Sequence, residues 1–144
     1  MHPRILIISI LKGLQDSGDQ VTRIEGVLSG TLSLIFNKFS PASGIGIGGS
    51  FSTASRNAKD LGYTESDSRD DLIGMDVAGK ITTIGRFCGL QIESAASVKV
   101  RSLIPGTLRD ITDGNEFLSR FAEFDEEWEK TRHLEEQEGK VLRW

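Results

Sequence analysis

Two opposite charges, Asp76 and Lys80, stand four residues apart inside an apolar helical pattern. Projecting residues 72–90 onto a helix at about 100° per residue places both charges on the apolar arc. A charge in apolar surroundings is too costly to leave unpaired, so the pattern predicts that the two charges point inward as a pair. The apolar members of the arc are Ile73, Val77, Ile81, Ile84, Phe87 and Cys88, and the opposite side carries Ala78, Thr82, Gly85 and Arg86.

A purely structural interpretation competes with this one. Most acid–base pairs at this spacing on a helix are solvated and contribute about 0.2–0.5 kcal/mol. Four further acids precede the helix, where the positive end of its dipole favours carboxylates. Such clusters arise both at active sites and in structural networks, so the pattern leaves both interpretations open. These acids are Glu65, Asp67, Asp70 and Asp71.

Composition limits the classes of function. The 144 residues suit one domain with a sizeable core, and 38% apolar with 26% charged residues indicates neither disorder nor a membrane span. A net charge of −4 without a basic stripe disfavours nucleic-acid binding. The single cysteine, Cys88, permits no internal disulfide, which fits a reducing compartment. His2 and His133 are isolated, so no zinc spacing is present.

The elements that must position the charged pair are read from periodicity and turn residues. Helices are predicted over 3–15, 32–39, 51–61, 71–88, 114–124 and 126–137. Segment 20–28 is rich in β-branched residues and predicts a strand, and 90–103 is predicted to be extended because Val98, Val100 and Leu103 alternate inward, with a further strand opening at 140–144. We therefore expect an α+β fold, with helices packed on one face of a mixed β-sheet.

A glycine-rich loop over 40–50 contains Gly44, Gly46 and Gly49, which match the dinucleotide-binding fingerprint Gly-x-Gly-x-x-Gly. That fingerprint requires a buried strand directly before it and an acid at the end of a second strand. Here Pro41, Ala42 and Ser43 precede the glycines, and the acids downstream lie in a turn. The match is therefore attributed to chance, and a nucleotide binder using this loop is a minor alternative.

Three stretches carry a resemblance to a known family. They are Ile-Glu-Gly-Val-Leu-Ser-Gly-Thr-Leu-Ser-Leu-Ile-Phe-Asn at 24–37, Gly-Tyr-Thr-Glu through Lys at 62–80, and Gly-Lys-Val-Leu-Arg at 139–143. Together they resemble the catalytic domain of homoserine dehydrogenase, including the form fused to aspartate kinase. The resemblance implies NAD- or NADP-dependent interconversion of L-homoserine and L-aspartate 4-semialdehyde in threonine and methionine biosynthesis.

The resemblance also implies roles for five residues. Lys80 matches the family's proton donor, and Glu65 and Asp76 match residues that hold homoserine through charge-assisted bonds to its ammonium group. Asp71 matches a further acid lining that site, and Gly62 matches a glycine beside the nicotinamide cofactor. The family's sheet also builds a dimer, so a homodimer is implied.

Several departures from the family pattern stand beside these matches. Ser66 and Ser68 replace two prolines, and Gly79 replaces an arginine. The Rossmann domain that holds most of the cofactor is not matched, and neither is the monovalent-cation turn, so no metal residues are assigned. We therefore expect residues 1–144 to form one catalytic domain, incomplete at both termini and located in the cytoplasm or a plastid. The alternative is a non-catalytic remnant or interaction module of the same family.

Overall fold

A computed structural model describes residues 4–42, 49–64 and 67–144. Within these ranges the chain forms seven α-helices joined by turns and three short 3-10 segments. The α-helices are α1 Arg4–Asp16, α2 Gly30–Phe39, α3 Phe51–Asp60, α4 Ser68–Ile73, α5 Met75–Phe87, α6 Gly114–Phe121 and α7 Asp125–Gln137. The 3-10 segments are Ala95–Ser97, Gly106–Leu108 and Ala122–Phe124.

The predicted α+β fold is wrong for the described chain. None of its residues forms a strand, so no mixed sheet is present there. The segments 20–28, 98–103 and 140–144 are irregular, and a 3-10 segment interrupts 90–103. Their β-branched residues suit a pleated, half-buried surface, but a strand exists only when its backbone pairs with a neighbour. The local composition therefore indicated a preference for strands, but it could not supply a neighbouring strand with which to pair.

The chain divides into two compact units, each with its own packing. Unit 2 comprises residues 29–74 and 101–144 and contains the main hydrophobic core. Aromatic rings dominate this core: Phe51 stacks on Trp128 at 4.1 Å between ring centroids, and Phe39 meets Phe51 edge-on at 5.2 Å. Rings bury more apolar area than any other side chain, so these contacts stabilise the unit most.

The final residues of unit 2 return to this core. Leu142 and Trp144 pack against it, and the Leu142 amide donates to Ser40 Oγ at 3.0 Å. The Arg143 guanidinium donates to the Ser40 carbonyl at 2.7 Å. Because this carbonyl directly follows α2, the contact satisfies an acceptor that the helix end leaves free.

Unit 1 comprises residues 1–28 and 75–100, of which the structure describes 4–28 and 75–100. Helix α1 packs along α5, and Gln15 Nε2 donates to the Phe87 carbonyl at 2.6 Å. The buried apolar residues of this unit are few among those described: Leu11, Val77, Ala78 and Ile84. Much apolar surface stays exposed, including Ile10, Ile24 and Val27.

The helix predicted over 71–88 is two helices. Gly74 adopts a left-handed conformation with φ 82° and ends α4, and α5 begins at Met75. Glycine reaches positive φ without the steric penalty that other residues incur. Periodicity does not detect such a break, because the apolar spacing continues across it. The helices predicted over 3–15, 32–39, 51–61 and 126–137 are confirmed, and that over 114–124 ends in 3-10 geometry.

Replacing Gly74 with alanine distinguishes one continuous helix over 71–88 from two helices that meet at Gly74. In a continuous helix Gly74→Ala would stabilise the protein by about 0.5–1 kcal/mol. In the left-handed conformation seen here it should lower the free energy of unfolding by about 1–2 kcal/mol. Gly79→Ala is the matched control, because Gly79 lies inside α5 and a Cβ added there meets no atom within 4 Å. Urea unfolding should show opposite signs, and stabilisation by both changes would contradict the break.

Candidate functional site

Lys80 lies on α5 and has two acceptors in unit 1. Its ammonium forms an ion pair with Asp76 one turn earlier and donates to the Leu28 carbonyl at 2.9 Å. The Lys80 side chain is 23% exposed and that of Asp76 58% exposed. Since an ammonium has three N–H donors, the acceptors found in the described chain leave one for a substrate oxygen. A lysine held at two points on a helix is suited to deliver a proton in a fixed direction.

The predicted inward orientation of this pair is corrected for Asp76, which faces mainly solvent. The buried side of α5 is formed by Val77, Ala78, Thr82, Ile84 and Gly85, while Ile73 and Ile81 are exposed. Gly85 explains the shift: a Cβ there would lie 2.6 Å from Ile92 Cδ1. The chain therefore packs closely on the small-residue side, where the periodicity had placed the solvent.

An apolar cleft of about 440 Å³ lies in unit 1 beside the segment 20–28, which ends at Leu28. Its walls are residues 21–26 and Leu28 on one side and the second half of α5 with Leu90 and Ile92 on the other. Both the exposed Ile81 and the buried Ile84 and Gly85 of α5 line it. Cys88, just after α5, is partly buried there.

Gly62 ends α3 in unit 2 with φ 73°. Its amide donates to the Lys59 carbonyl at 2.9 Å and the Tyr63 amide to the Ala58 carbonyl at 2.9 Å, which is the Schellman arrangement of a helix end. The buried Thr31 hydroxyl donates to the Tyr63 carbonyl at 2.6 Å. The Tyr63 carbonyl, one residue after Gly62, is thus held to α2, and the exposed glycine presents bare backbone.

The two remaining predicted site residues are Asp71 and Glu65. Asp71 lies on α4 in unit 2 and is partly buried. Glu65 lies outside the described residues, as do Ser66 and the fingerprint glycines Gly44 and Gly46. The structure therefore brings Asp76 and Lys80 together in unit 1, and it carries Gly62 and Asp71 in unit 2. Roles for all five residues remain predictions.

A charged network missed by sequence reasoning surrounds the start of α4. Asp67 caps the helix by accepting from the Arg69 amide at 3.0 Å. The Arg69 guanidinium binds the same carboxylate and also donates to the carbonyls of Ile111 and Thr112, the latter at 3.0 Å. The Asp-x-Arg spacing was a signal, but the partners lie more than 40 residues away.

Two carboxyl groups of this region have lowered pKa values. The hydrogen bond from the Arg69 side chain is the main cause for Asp67, whose pKa falls although partial burial opposes the shift. The Asp113 pKa falls because its carboxylate accepts from the amides of Glu116 and Asn115 at the start of α6. Both groups are therefore held ionised where helices begin.

Some site types receive no support from the described residues. Among residues 4–42, 49–64 and 67–144, no group of three or more His, Cys, Asp or Glu side chains is placed to hold a metal ion. No helix in these ranges has the length and apolarity needed to cross a membrane.

Comparison with known proteins points to one family. The sequence model described as homoserine dehydrogenase matches residues 7–143. A homoserine dehydrogenase of Paracoccidioides brasiliensis is 48% identical over 141 residues, which cover 96% of this chain and 38% of that protein. The homoserine dehydrogenase of Saccharomyces cerevisiae is 44% identical over 138 residues, again 96% and 38%.

Two further relatives extend the comparison. A chloroplastic bifunctional aspartokinase/homoserine dehydrogenase of Zea mays is 45% identical over 138 residues, which cover 96% of this chain and 14% of that protein. A crystal structure of a Candida auris protein of unknown function superposes with a TM-score of 0.89 at 43% identity, covering 95% of this chain and 38% of that one. The chain thus spans about two fifths of its fungal relatives.

The acid dependence of stability tests the network around α4. A carboxyl whose folded pKa lies below its unfolded value of about 3.8 stabilises the protein fully above that value. This contribution is lost as the pH falls through the folded pKa. Asp67→Asn should therefore flatten the decline in stability below about pH 4, measured by urea unfolding between pH 2 and 7. Ser119→Ala, at an exposed position of α6, should keep the full decline. An unchanged decline in Asp67→Asn would contradict the assignment.

Proposed function

The chain belongs to the homoserine dehydrogenase family, and we propose that it forms the substrate-binding and catalytic portion of an enzyme that interconverts L-homoserine and L-aspartate 4-semialdehyde. The observation that carries the proposal is the attachment of Lys80 to both Asp76 and the Leu28 carbonyl. A second candidate, a non-catalytic remnant of the family, predicts the same contacts without turnover.

In the proposed reaction Lys80 supplies the proton for the alkoxide that develops when the aldehyde is reduced. The ammonium loses that proton to the substrate oxygen and recovers one from solvent, which its 23% exposure permits. The contacts to Asp76 and Leu28 restrict the ammonium to a small volume, so little ordering remains for the reaction itself. The same residue removes the proton from homoserine in the reverse direction.

Substrate binding is assigned to carboxylates. The two oxygens of a carboxylate can accept several hydrogen bonds, so Asp76 can bind the homoserine ammonium as well as Lys80. The family resemblance assigns Glu65 and Asp71 to homoserine binding as well. A charged amine bound by carboxylates is favoured over an aldehyde that lacks the amine, so these residues would select for amino-acid substrates.

The family is NAD(P)-dependent, and one described residue fits a cofactor role. Gly62 is exposed, and no atom lies within 4 Å of a Cβ added there, so its backbone can lie flat against a ring. When bound, the nicotinamide supplies the hydride that reduces the aldehyde carbon. Gly62 would orient that ring, and the Thr31 bond to Tyr63 would keep the glycine backbone in place. The choice between NADP and NAD stays open.

We further propose that two copies of the chain associate as a homodimer. Ile24 and Val27 are exposed on the segment 20–28, which has strand-like composition and borders the apolar cleft. Clusters of exposed apolar residues of this kind are typical of interfaces. For location, we propose a plastid or the cytoplasm, and the name of the maize relative, which is chloroplastic, supports the plastid.

Catalytic competence is tested by grafting. The chain replaces the matching 138 residues of the Saccharomyces cerevisiae homoserine dehydrogenase, and NADPH oxidation is followed with L-aspartate 4-semialdehyde. We expect turnover by the graft and a loss of about 10²- to 10⁴-fold on Lys80→Ala, the usual contribution of a general acid. Lys99→Ala, an exposed lysine of the same unit, is the matched control and should keep full activity. A folded but inactive graft would favour the non-catalytic alternative.

Association is tested by sedimentation. The wild-type chain should sediment as twice its mass of 15.8 kDa at micromolar concentration. Ile24→Asp places a charge on the proposed interface and should shift the equilibrium toward the monomer. Thr22→Asp, at an exposed polar position of the same segment, should change it less. A wild-type monomer would contradict the proposal.

A further inference from the structure

We propose that Arg69 is a positioning residue that fixes Asp71 by clamping the start of α4 to the segment before α6. The part of the inference that concerns substrate rests on the proposed function, since Asp71 is there assigned to the homoserine pocket. The clamp itself rests on described contacts within unit 2. Arg69 is itself distinct from the five residues to which the resemblance gives roles.

Helix α4 has only six residues, Ser68–Ile73. An isolated helix of this length is unstable in water, because the cost of forming its first turn is not recovered by so few hydrogen bonds. Its position must therefore come from contacts with the rest of unit 2. At its C-terminal end the Leu103 amide donates to the Leu72 carbonyl at 3.0 Å. The other end requires an anchor of its own.

Arg69 supplies that anchor by binding on two sides at once. Toward its own helix start, Nε lies 2.8 Å from both carboxylate oxygens of Asp67, and Nη2 binds this carboxylate as well. Toward the segment before α6, Nη1 donates to the Ile111 carbonyl and Nη2 to the Thr112 carbonyl. The planar guanidinium presents its donors in a fixed fork, so it sets both distance and orientation between the two segments.

Neighbouring contacts make the second segment a firm support. Asp113 caps α6 by accepting from the Asn115 and Glu116 amides at 2.7 and 2.8 Å. Lys59 at the end of α3 donates to Asn115 Oδ1 at 3.0 Å. The Ile111 and Thr112 carbonyls therefore lie next to a capped helix that is tied to α3. Arg69 transmits this support to α4, two residues before Asp71.

Hydrogen exchange of the complete 144-residue chain tests the clamp without substrate. Arg69→Gln should raise the exchange rate of the α4 amides by about tenfold or more, because charge-assisted hydrogen bonds are lost, while the α2 amides change much less. The ¹³C resonance of the Asp71 carboxyl should also move. Arg69→Lys keeps the charge without the fork and should restore less than half of the protection. Arg120→Gln, which removes an exposed arginine from α6, is the matched control.

Titration with L-homoserine tests the link to substrate. Arg69→Gln should weaken binding about tenfold, and the double variant Arg69→Gln with Asp71→Asn should bind no more weakly than Asp71→Asn alone. The proposal would be overturned if the losses in homoserine binding free energy were additive in the double variant. It would also be overturned if Arg69→Gln left amide exchange in α4 unchanged, or if Arg69→Lys restored the full protection. If the wild-type chain binds no homoserine, the substrate assignment fails, and exchange together with the Asp71 resonance decides the clamp.

Discussion

Hydrogen bonds at helix starts are the constraint on which unit 2 depends. Its helices are short, and four of them begin at a side-chain oxygen that accepts from their first amides: Ser29, Ser50, Asp67 and Asp113. The Asp125 carboxylate adds a second contact at α3, accepting from the Ser52 amide at 2.8 Å and from its hydroxyl at 2.6 Å. Because such amides have no partner inside the helix, these oxygens determine where each helix begins and how its side chains face the aromatic core.

The chemistry proposed for unit 1 would depend on a comparable arrangement around one cation. The Lys80 ammonium is held by Asp76 and by the Leu28 carbonyl. The contact with Leu28 links α5 to the end of the segment 20–28. Asp76 lies in the first turn of α5, where the helix dipole also favours its negative charge. An ion pair at this spacing contributes little to stability when solvated, so its importance lies in positioning the lysine. The family membership gives that position a chemical meaning.

The sequence was sufficient where local rules decide the structure. A serine before an apolar run predicts a helix cap and a glycine after one predicts a helix end, and the structure has Ser29 capping α2 and positive φ at Gly62 and Gly89. It was insufficient where the outcome depends on distant partners. The strands over 20–28 and 90–103 lacked any pairing, the break at Gly74 was hidden by continuous spacing, and the buried side of α5 was set by Ile92 packing on Gly85. For the site, the motif identified Lys80 with Asp76, but Arg69 became visible only through Ile111 and Thr112.

The central claim is that Lys80 is the group of this chain that meets the substrate oxygen. The most direct measurement is the ¹⁵N resonance of the Lys80 ammonium in the labelled chain as L-homoserine is added. The account predicts a saturable shift of this resonance together with that of the Asp76 carboxyl, and no shift with L-alanine, which has the same amine and carboxylate but lacks the hydroxyl. A folded chain in which neither resonance moves, or in which both amino acids move Lys80 equally, would contradict it.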